Sequence, residues 1–518
     1  MVAPSSAGMH MQGTFYILKK RCKVTLTDNG LSWEPEGSPE CYQHVLVSEV
    51  VGCWLCPKAS TSCCLYAHPT ARGEAHAMPP HPAPCKHSQR RGAGFGLTLE
   101  FCRRGRRAHW KPRVVALMHV AIEVVQAWHR ALWALVQGLV HRPRRLLVVI
   151  NPVGGRKRAH LTYTRKVAPL FRRAAITTTV IQTEYQGHGR DLVESSGRLN
   201  DVDGVVAVGG DGLVNELVMG LLLLASKKAG LDPHNPEVAL PKTHLRLGII
   251  PGGSTDAMCH GTHGTSDVVT AALHIIMGDS RTVDVAAIHR HGQLQSVATT
   301  MVSYGYFGDL LKTSEQWRKL GPTRYIVSGV LQFLRNRSYE GQLKVLTPAT
   351  PLSQPYDVNV CSHQCSVCDK AAKTPPTPGD WLQFNGRWSI VTSAVVTCAC
   401  RLSPHGMSPS AHLGDGCTDL ILVSGGSRYR ILSYLFRTAY TGNALSLDHV
   451  NMHRVQEVHF TPKVSGPKSS WNCDGEQLTE PALRLRVHCQ RLQLFSRGIE
   501  IRTDDFSKHA SNGKSASL

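Results

Sequence analysis

The stretch Gly-Val-Val-Ala-Val-Gly-Gly-Asp-Gly-Leu-Val-Asn-Glu (residues 204–216) decides how the chain is read. Gly204–Val208 is an unbroken apolar run too short for a helix, the pattern of a strand buried on both faces. Gly209, Gly210 and Gly212 then surround Asp211, and a helical pattern follows from about Leu213 to Lys228. The same order recurs on either side. Leu146–Ile150 leads into Asn-Pro-Val-Gly-Gly (151–155) and a helix from about Arg158 to Phe171. Ile176–Gln182 leads into a helix near Arg190–Leu199, and Leu245–Ile250 leads into Pro-Gly-Gly-Ser-Thr-Asp (251–256). Repeats of apolar strand, turn and helix predict a parallel, doubly wound α/β sheet.

Ligands of such sheets bind at the C-terminal strand edge, where helix N-termini present free N–H groups. Three glycine clusters fall there: Gly154/Gly155, Gly209/Gly210/Gly212 and Gly252/Gly253. Glycine lets backbone approach a phosphate closely. One cluster alone would read as a simple turn; three at one edge of a chain with net charge +21 point to an anionic ligand. No Gly-x-x-x-x-Gly-Lys-Ser/Thr is present, and no Gly-x-Gly-x-x-Gly follows the first strand, so the phosphate cradle is not a P-loop. Asp211, with Glu216 five residues on, could take a proton from a substrate hydroxyl or hold Mg²⁺. Its plainer reading is a helix cap.

The flanks differ from this centre. Residues 1 to about 143 alternate short β-type runs (Thr14–Leu18, Lys23–Leu26, Val45–Val50, Gly96–Phe101) with turns and close on one helix, about Val114–Leu139. Strands followed by one helix is the order of a small lipid-binding barrel. Residues 53–94 read as a loop. Beyond about Thr282 the helical pattern thins and short strands return, which suggests an all-β sandwich or barrel, with Thr347–Gly379 as an exposed insertion. The helix candidate at Val114–Val140 is broken by His119, Glu123, Gln126, His129, Arg130 and Gln137, so it is amphipathic and not a span. No signal peptide is apparent in Met1–Lys20. An odd cysteine total of 17 spread over 518 residues argues for a reducing compartment.

The glycine motifs 151–155, 209–216 and 251–256, together with Asp-Gly-Glu (474–476), resemble the catalytic domain of the diacylglycerol and sphingosine kinase superfamily. Within it the chain is most similar to the ceramide kinase branch. That likeness rests on Arg-Lys-Val-Ala-Pro-Leu-Phe (165–171), Gly-Thr-Ser-Asp (264–267), Tyr-Gly-Tyr-Phe-Gly-Asp (304–309) and Cys-x-x-x-Cys-x-x-Cys (361–368). It also rests on Cys-Ala-Cys-Arg-Leu-Ser-Pro-His-Gly (398–406), His-Leu-Gly-Asp-Gly (412–416) and Ser-Trp-Asn-Cys-Asp-Gly-Glu (470–476), and it spans about Arg142–Glu500. The resemblance implies ATP-dependent phosphorylation of the primary hydroxyl of ceramide, with Asp211 receiving the proton and Mg²⁺, or else Ca²⁺, as the cation. It places ATP against Asn151, Pro152, Val153, the turn Thr183, Glu184, Tyr185, Gln186 and Gly187, then Glu216, Arg318, Arg324, Asp474, Gly475 and Glu476. The lipid headgroup would lie near Gly209, Gly210, Asp211 and Gly212, with Asp309 nearby. Two departures stand out: Arg156-Lys157-Arg158 replaces further glycines after the first loop, and Gly252 stands where relatives more often have Ala.

The expected domains are a pleckstrin-homology-like membrane-targeting module (1–141), the catalytic domain (142–280), a β-rich lipid-binding domain (281–505) and a flexible tail (506–518). Residues 86–113 hold nine Lys/Arg (Lys86, Arg90, Arg91, Arg103, Arg104, Arg106, Arg107, Lys111, Arg113) against Glu100. That charge suits anionic lipids such as phosphoinositides, and the sparse aromatics argue against nucleic acid. By resemblance, calmodulin is a further partner and the location is cytoplasmic, peripheral on Golgi or plasma membrane. Cys361, Cys365 and Cys368 have the spacing of three legs of a metal site, with Cys398, Cys400 or His363 as a fourth; reduced thiols bracing a loop are the equal alternative. The spacing also resembles the cluster motif of radical SAM enzymes, but that motif follows a first barrel strand and does not sit in a Pro-rich loop. A catalytically silent lipid-binding relative, or a kinase for sphingosine or diacylglycerol, stays open as the alternative function.

Overall fold

The computed structural model describes residues 8–56, 94–105, 108–155, 157–195, 197–317, 320, 323–353, 361–463 and 466–500. Arg318, Lys86, Arg90, Arg91, Arg106 and Arg107, most of the expected 53–94 loop and the expected tail 506–518 lie outside the described residues. The chain divides into two compact units.

The first unit comprises the chain to Arg104, Trp110–Arg142 and Arg172–Ala175. Seven strands, His10–Ile17, Lys20–Thr27, Gly30–Pro35, Gln43–Leu46, Val50–Cys56, Phe95–Arg104 and Trp110–His119, form one antiparallel sheet in the order 4-3-2-1-7-6-5. The first hairpin turns through Leu18 and Lys19, both at positive φ (49° and 68°), the handedness a two-residue hairpin turn demands. Leu18 is left 90% exposed at the tip. The helix Ile122–Gln137 buries Val125, Trp128, Leu132 and Val136, a row at 3–4-residue spacing, against the sheet. Trp128 meets Phe15 edge-on, ring centroids 5.0 Å apart. Residues 114–119, expected to open this helix, are strand instead. Val114 and Val115 pair with Glu100 and Leu99, and this hairpin pairing prevails over a run that is apolar in either periodicity. Cys53–Cys56, expected in the loop, ends a strand.

In the second unit the four expected parallel strands are present. They run Thr177–Gln182, Arg145–Ile150, Gly204–Gly209, Arg246–Pro251 across the sheet, so the order reverses between the first and third strands in sequence. That reversal is where open α/β sheets bind ligands. The helices Asp211–Ala229, His188–Ser195 and Val268–Met277 belong to this part of the chain.

The C-terminal half does not form a separate all-β body. Its strand Leu483–Phe495 joins Arg246–Pro251 in parallel through two residue pairs, Arg246 with Gln493 and Leu247 with Leu494. The same strand pairs antiparallel with Ser280–Arg290 and Glu457–Pro462, and the sheet continues to fifteen strands. Tyr304, Tyr339, Trp388, Phe460 and Trp471 share one core in this half. The thinning helical pattern concealed four helices, Tyr306–Gln316, Thr323–Arg335, Ser366–Lys373 and Arg428–Tyr440. In the second and fourth, exposed apolar residues (Ile326, Val330, Leu334; Tyr429, Leu432, Phe436) blur the usual apolar-inside stripe. Among the described residues no helix is long and apolar enough to cross a membrane.

Candidate active site

The first and third strands in sequence, whose edges meet at the reversal, end side by side. Asn151 N–H donates to Val208 O (3.1 Å), and Asn151 Oδ1 accepts the N–H groups of Val153 and Gly154, both at 3.0 Å. This folds 151–154 into a compact turn. The second and third glycine loops touch backbone to backbone: Gly252 N–H donates to Gly209 O (2.9 Å), and a Cβ on Gly253 would lie 2.5 Å from the Gly210 Cα. No side chain fits there. Gly155, at φ +55°, packs against the Gly252 carbonyl in the same way. The glycines therefore let three loops converge, beyond turning each one.

Asp211 opens the 19-residue helix Asp211–Ala229, and its carboxylate also accepts the N–H groups of Ala257 and Met258, each at 3.1 Å. Burial, reinforced by the neighbouring Asp256 carboxylate, pushes its pKa up to about 7 against the pull of those two N–H groups. A carboxyl near 7 is matched to proton transfer at neutral pH. Asp256 sits at φ +52° with Oδ1 accepting Gly253 N–H (2.8 Å), and burial raises its pKa too.

Glu216 spends both oxygens on the neighbouring turn, accepting Gly187 N–H at 2.8 Å and Gly189 N–H at 3.0 Å. The same turn is closed from the far end of the chain, where Gln186 Nε2 donates to Glu476 Oε2 (2.9 Å). Glu476 Oε1 lies 3.4 Å from where a Gly212 Cβ would be. Asp474 points inward: its carboxylate accepts the N–H groups of Thr299 (2.7 Å), Thr300 (3.0 Å) and Met301 (2.8 Å) and both threonine hydroxyls. Asn215 Nδ2 reaches it from the Asp211 helix at 3.5 Å. Asn151–Val153, Thr183–Gly187, Gly209–Gly212, Glu216 and the Asp474–Glu476 hairpin are thus joined in one network. Sequence reading passed over Asn215, Thr299 and Thr300. Asn215, a polar side chain amid apolar helix residues, was a usable signal; the two threonines carried none.

The diacylglycerol kinase catalytic domain matches residues 145–288, and the ceramide kinase C-terminal domain matches residues 303–470. The ceramide kinase of Mus musculus is 33% identical over 95% of this chain and 98% of its own length. The chain belongs to the ceramide kinase family. Ceramide kinase of Homo sapiens is 35% identical over 80% of this chain and 86% of its length, and ceramide kinase 1 of Caenorhabditis elegans is 30% identical over 77% and 74%.

Two of the residues that the ceramide kinase resemblance implied are engaged away from this network. Asp309, 8% exposed, accepts from Ser469 Oγ (2.6 Å) and from the Tyr339 hydroxyl. Arg324 pairs with Glu315 at 3.3 Å and with the Tyr325 hydroxyl at 2.8 Å, and not with the glycine loops. The ceramide-branch cysteines are not in an exposed insertion: Cys361, Cys365 and Cys368 are 3%, 7% and 3% exposed. The residue that joins them is His412, and not Cys398, Cys400 or His363. Cys398 Sγ lies against the carbonyls of Thr300 and Val396, and His363 Nδ1 against Arg497 O.

Glu216→Gln leaves one acceptor oxygen for two backbone donors and should loosen the Thr183–Gly187 turn. A hydrogen bond to a charged group is worth about 1.5–3 kcal/mol, so KM for ATP should rise roughly ten- to a hundredfold with kcat less affected. Steady-state kinetics with varied ATP checks this; an unchanged KM removes the turn from nucleotide binding.

Proposed function

We propose that the chain transfers the γ-phosphate of ATP to the primary hydroxyl of ceramide, giving ceramide 1-phosphate, and that Asp211 receives the hydroxyl proton. The observation that carries this reading is the Asp211 carboxylate, held at the start of its own helix between two glycine loops by the N–H groups of Ala257 and Met258 and poised near pH 7. The ceramide oxygen attacks phosphorus in line, the bond to the β-phosphate oxygen breaks, the proton passes to Asp211 and ADP leaves. Backbone N–H groups around Gly209–Gly212 and the N-terminus of the Asp211 helix supply fixed positive ends for the phosphates. Carboxylate oxygens such as those of Asp256 and Glu476, beside the glycine loops, are the hard donors a divalent cation takes, and we assign Mg²⁺, which would neutralise phosphate charge. Label transfer from radioactive ATP to ceramide, sphingosine and diacylglycerol in mixed micelles tests the reading. Label should appear chiefly in ceramide; equal or faster labelling of another lipid, or of none, overturns it.

We assign residues 1–141 to a pleckstrin-like module, residues 142–280 to the catalytic part and residues 281–505 to a lipid-binding part. Ceramide resides in membranes, and two kinds of surface support peripheral binding to anionic bilayers. In the first unit Arg103 stands opposite Lys111 across the hairpin and Arg113 lies two residues further on the same face, all exposed; Arg104 is instead paired to Glu49 at 2.9 Å. In the second, the outward apolar rows of Thr323–Arg335 and Arg428–Tyr440 are bordered by exposed Arg335, Arg428 and Arg430, with no acid in either helix. A basic amphipathic helix such as Arg428–Tyr440 also has the character of a calmodulin target, the second partner we assign. Neutralising Arg103, Lys111 and Arg113 together should weaken sedimentation with phosphoinositide vesicles, each charge being worth about 1 kcal/mol near the surface, and the loss should shrink at high salt. Unchanged recovery would remove this hairpin from membrane binding.

A further inference from the structure

We propose that Cys361, Cys365, Cys368 and His412 form a tetrahedral zinc site, with His412 Nδ1 as the fourth ligand. The four side chains are 3%, 7%, 3% and 2% exposed, and their ligand atoms all lie within 4.8 Å of one another. Cys361 Sγ and Cys368 Sγ are 3.6 Å apart, and Cys365 Sγ lies 3.2 Å from His412 Nδ1. A tetrahedron with Zn–S near 2.3 Å and Zn–N near 2.0 Å has edges of about 3.5–3.8 Å. A disulfide would bring sulfurs to about 2.05 Å. The two separations, 3.6 and 3.2 Å, lie close to those edges and far from a disulfide's.

The surroundings supply the outer layer such a site needs. Leu413 N–H donates to Cys361 Sγ at 3.5 Å, and Arg281 Nη2 lies 4.0 Å from the same sulfur. Three thiolates, a neutral imidazole and Zn²⁺ sum to −1, which the Arg281 guanidinium offsets. Without an ion the cluster would be hard to explain: His412 Nε2 is buried with no hydrogen-bond partner among the described residues, and Nδ1 faces cysteine sulfur, 3.2 Å from Cys365 Sγ. Ring burial on those terms is costly.

The ion would join parts of the chain that are separate in sequence. Cys365 and His412 are 47 residues apart. Gln490 Nε2 donates to the carbonyls of both Cys368 (2.7 Å) and Gly414 (2.9 Å), while Asp284 N–H donates to Leu413 O (2.7 Å) and Asp284 Oδ2 accepts Gly416 N–H (2.6 Å). Zinc would therefore fasten the helix Ser366–Lys373 and the 412–417 loop onto the strands Ser280–Arg290 and Leu483–Phe495, contributing directly to folding.

Metal analysis of the full chain, purified without chelator, tests this. About one equivalent of zinc is expected, falling below about a tenth in His412→Ala and in Cys365→Ser, with a lower Tm. His363→Ala and Cys398→Ser should keep the metal. If the cluster variants are insoluble, cobalt exchange on the unaltered chain replaces them: thiolate-to-cobalt charge-transfer and intense tetrahedral ligand-field bands support the site. Less than about a tenth of an equivalent in the unaltered chain after dialysis against zinc, or absence of those cobalt bands, overturns it. Full zinc retention by soluble His412→Ala overturns the fourth ligand.

Discussion

Asp211→Asn should lower kcat by at least about 10²–10⁴-fold, the usual range for loss of a general base, while the protein stays folded. Asn cannot accept the ceramide proton, yet its amide oxygen can still receive one of the two N–H groups of Ala257 and Met258. The carboxyl pKa is raised from 3.8 to about 7, so the folded state favours the protonated form. Between those two values the folded protein holds a proton that the unfolded chain has released, and stability falls as pH rises through that window. Asn carries no such cost. At pH above about 7 the variant should therefore melt no lower than the parent, although it is inactive, a trade of stability for function. For the parent, kcat/KM should climb with pH and reach half its plateau at about 7, since this parameter reports the free enzyme. Normal turnover by folded Asp211→Asn, or a flat profile through neutrality, would exclude Asp211 as the base.

Asp474→Ala should act in the opposite way, through the fold first. The residue is 4% exposed and holds the N–H groups of Thr299, Thr300 and Met301 on one carboxylate. Its own N–H closes the contact onto Met301 O at 3.0 Å. Truncation strands three donors, each costing about 1–3 kcal/mol, so a loss of about 3–5 kcal/mol and a large drop in Tm are expected. Asp474→Asn, which keeps an acceptor, should lose less. Thermal unfolding followed by circular dichroism separates the roles. An unchanged Tm with lost activity would mean that the carboxylate works on the nucleotide and not on the Thr299–Met301 turn.

These two aspartates mark the boundary between what was legible in the chain and what was not. Gly204–Val208, Leu146–Ile150 and the loops after them announce a parallel sheet with its site at one edge, because buried strands and glycine turns are encoded within about fifteen residues. Asp211 is legible for the same reason, since its neighbours in sequence are also neighbours in space. The position of strand Leu483–Phe495 beside Arg246–Pro251, the meeting of Asp474 with Asn215 across 259 residues and that of Gln186 with Glu476 across 290 belong to the tertiary structure alone. So does His412 beside the three cysteines, where sequence spacing offered Cys398, Cys400 and His363 instead. Hidden too were Ile326, Val330, Leu334 and Phe436, whose apolar side chains face outward and so blurred the helices that carry them. By itself the sequence determined the family, the parallel core and the place of Asp211 among the glycine loops at its edge. Only the tertiary structure decided which distant side chains brace the turns and loops around it, because pairing across hundreds of residues depends on packing and hydrogen-bond satisfaction and leaves no local periodicity.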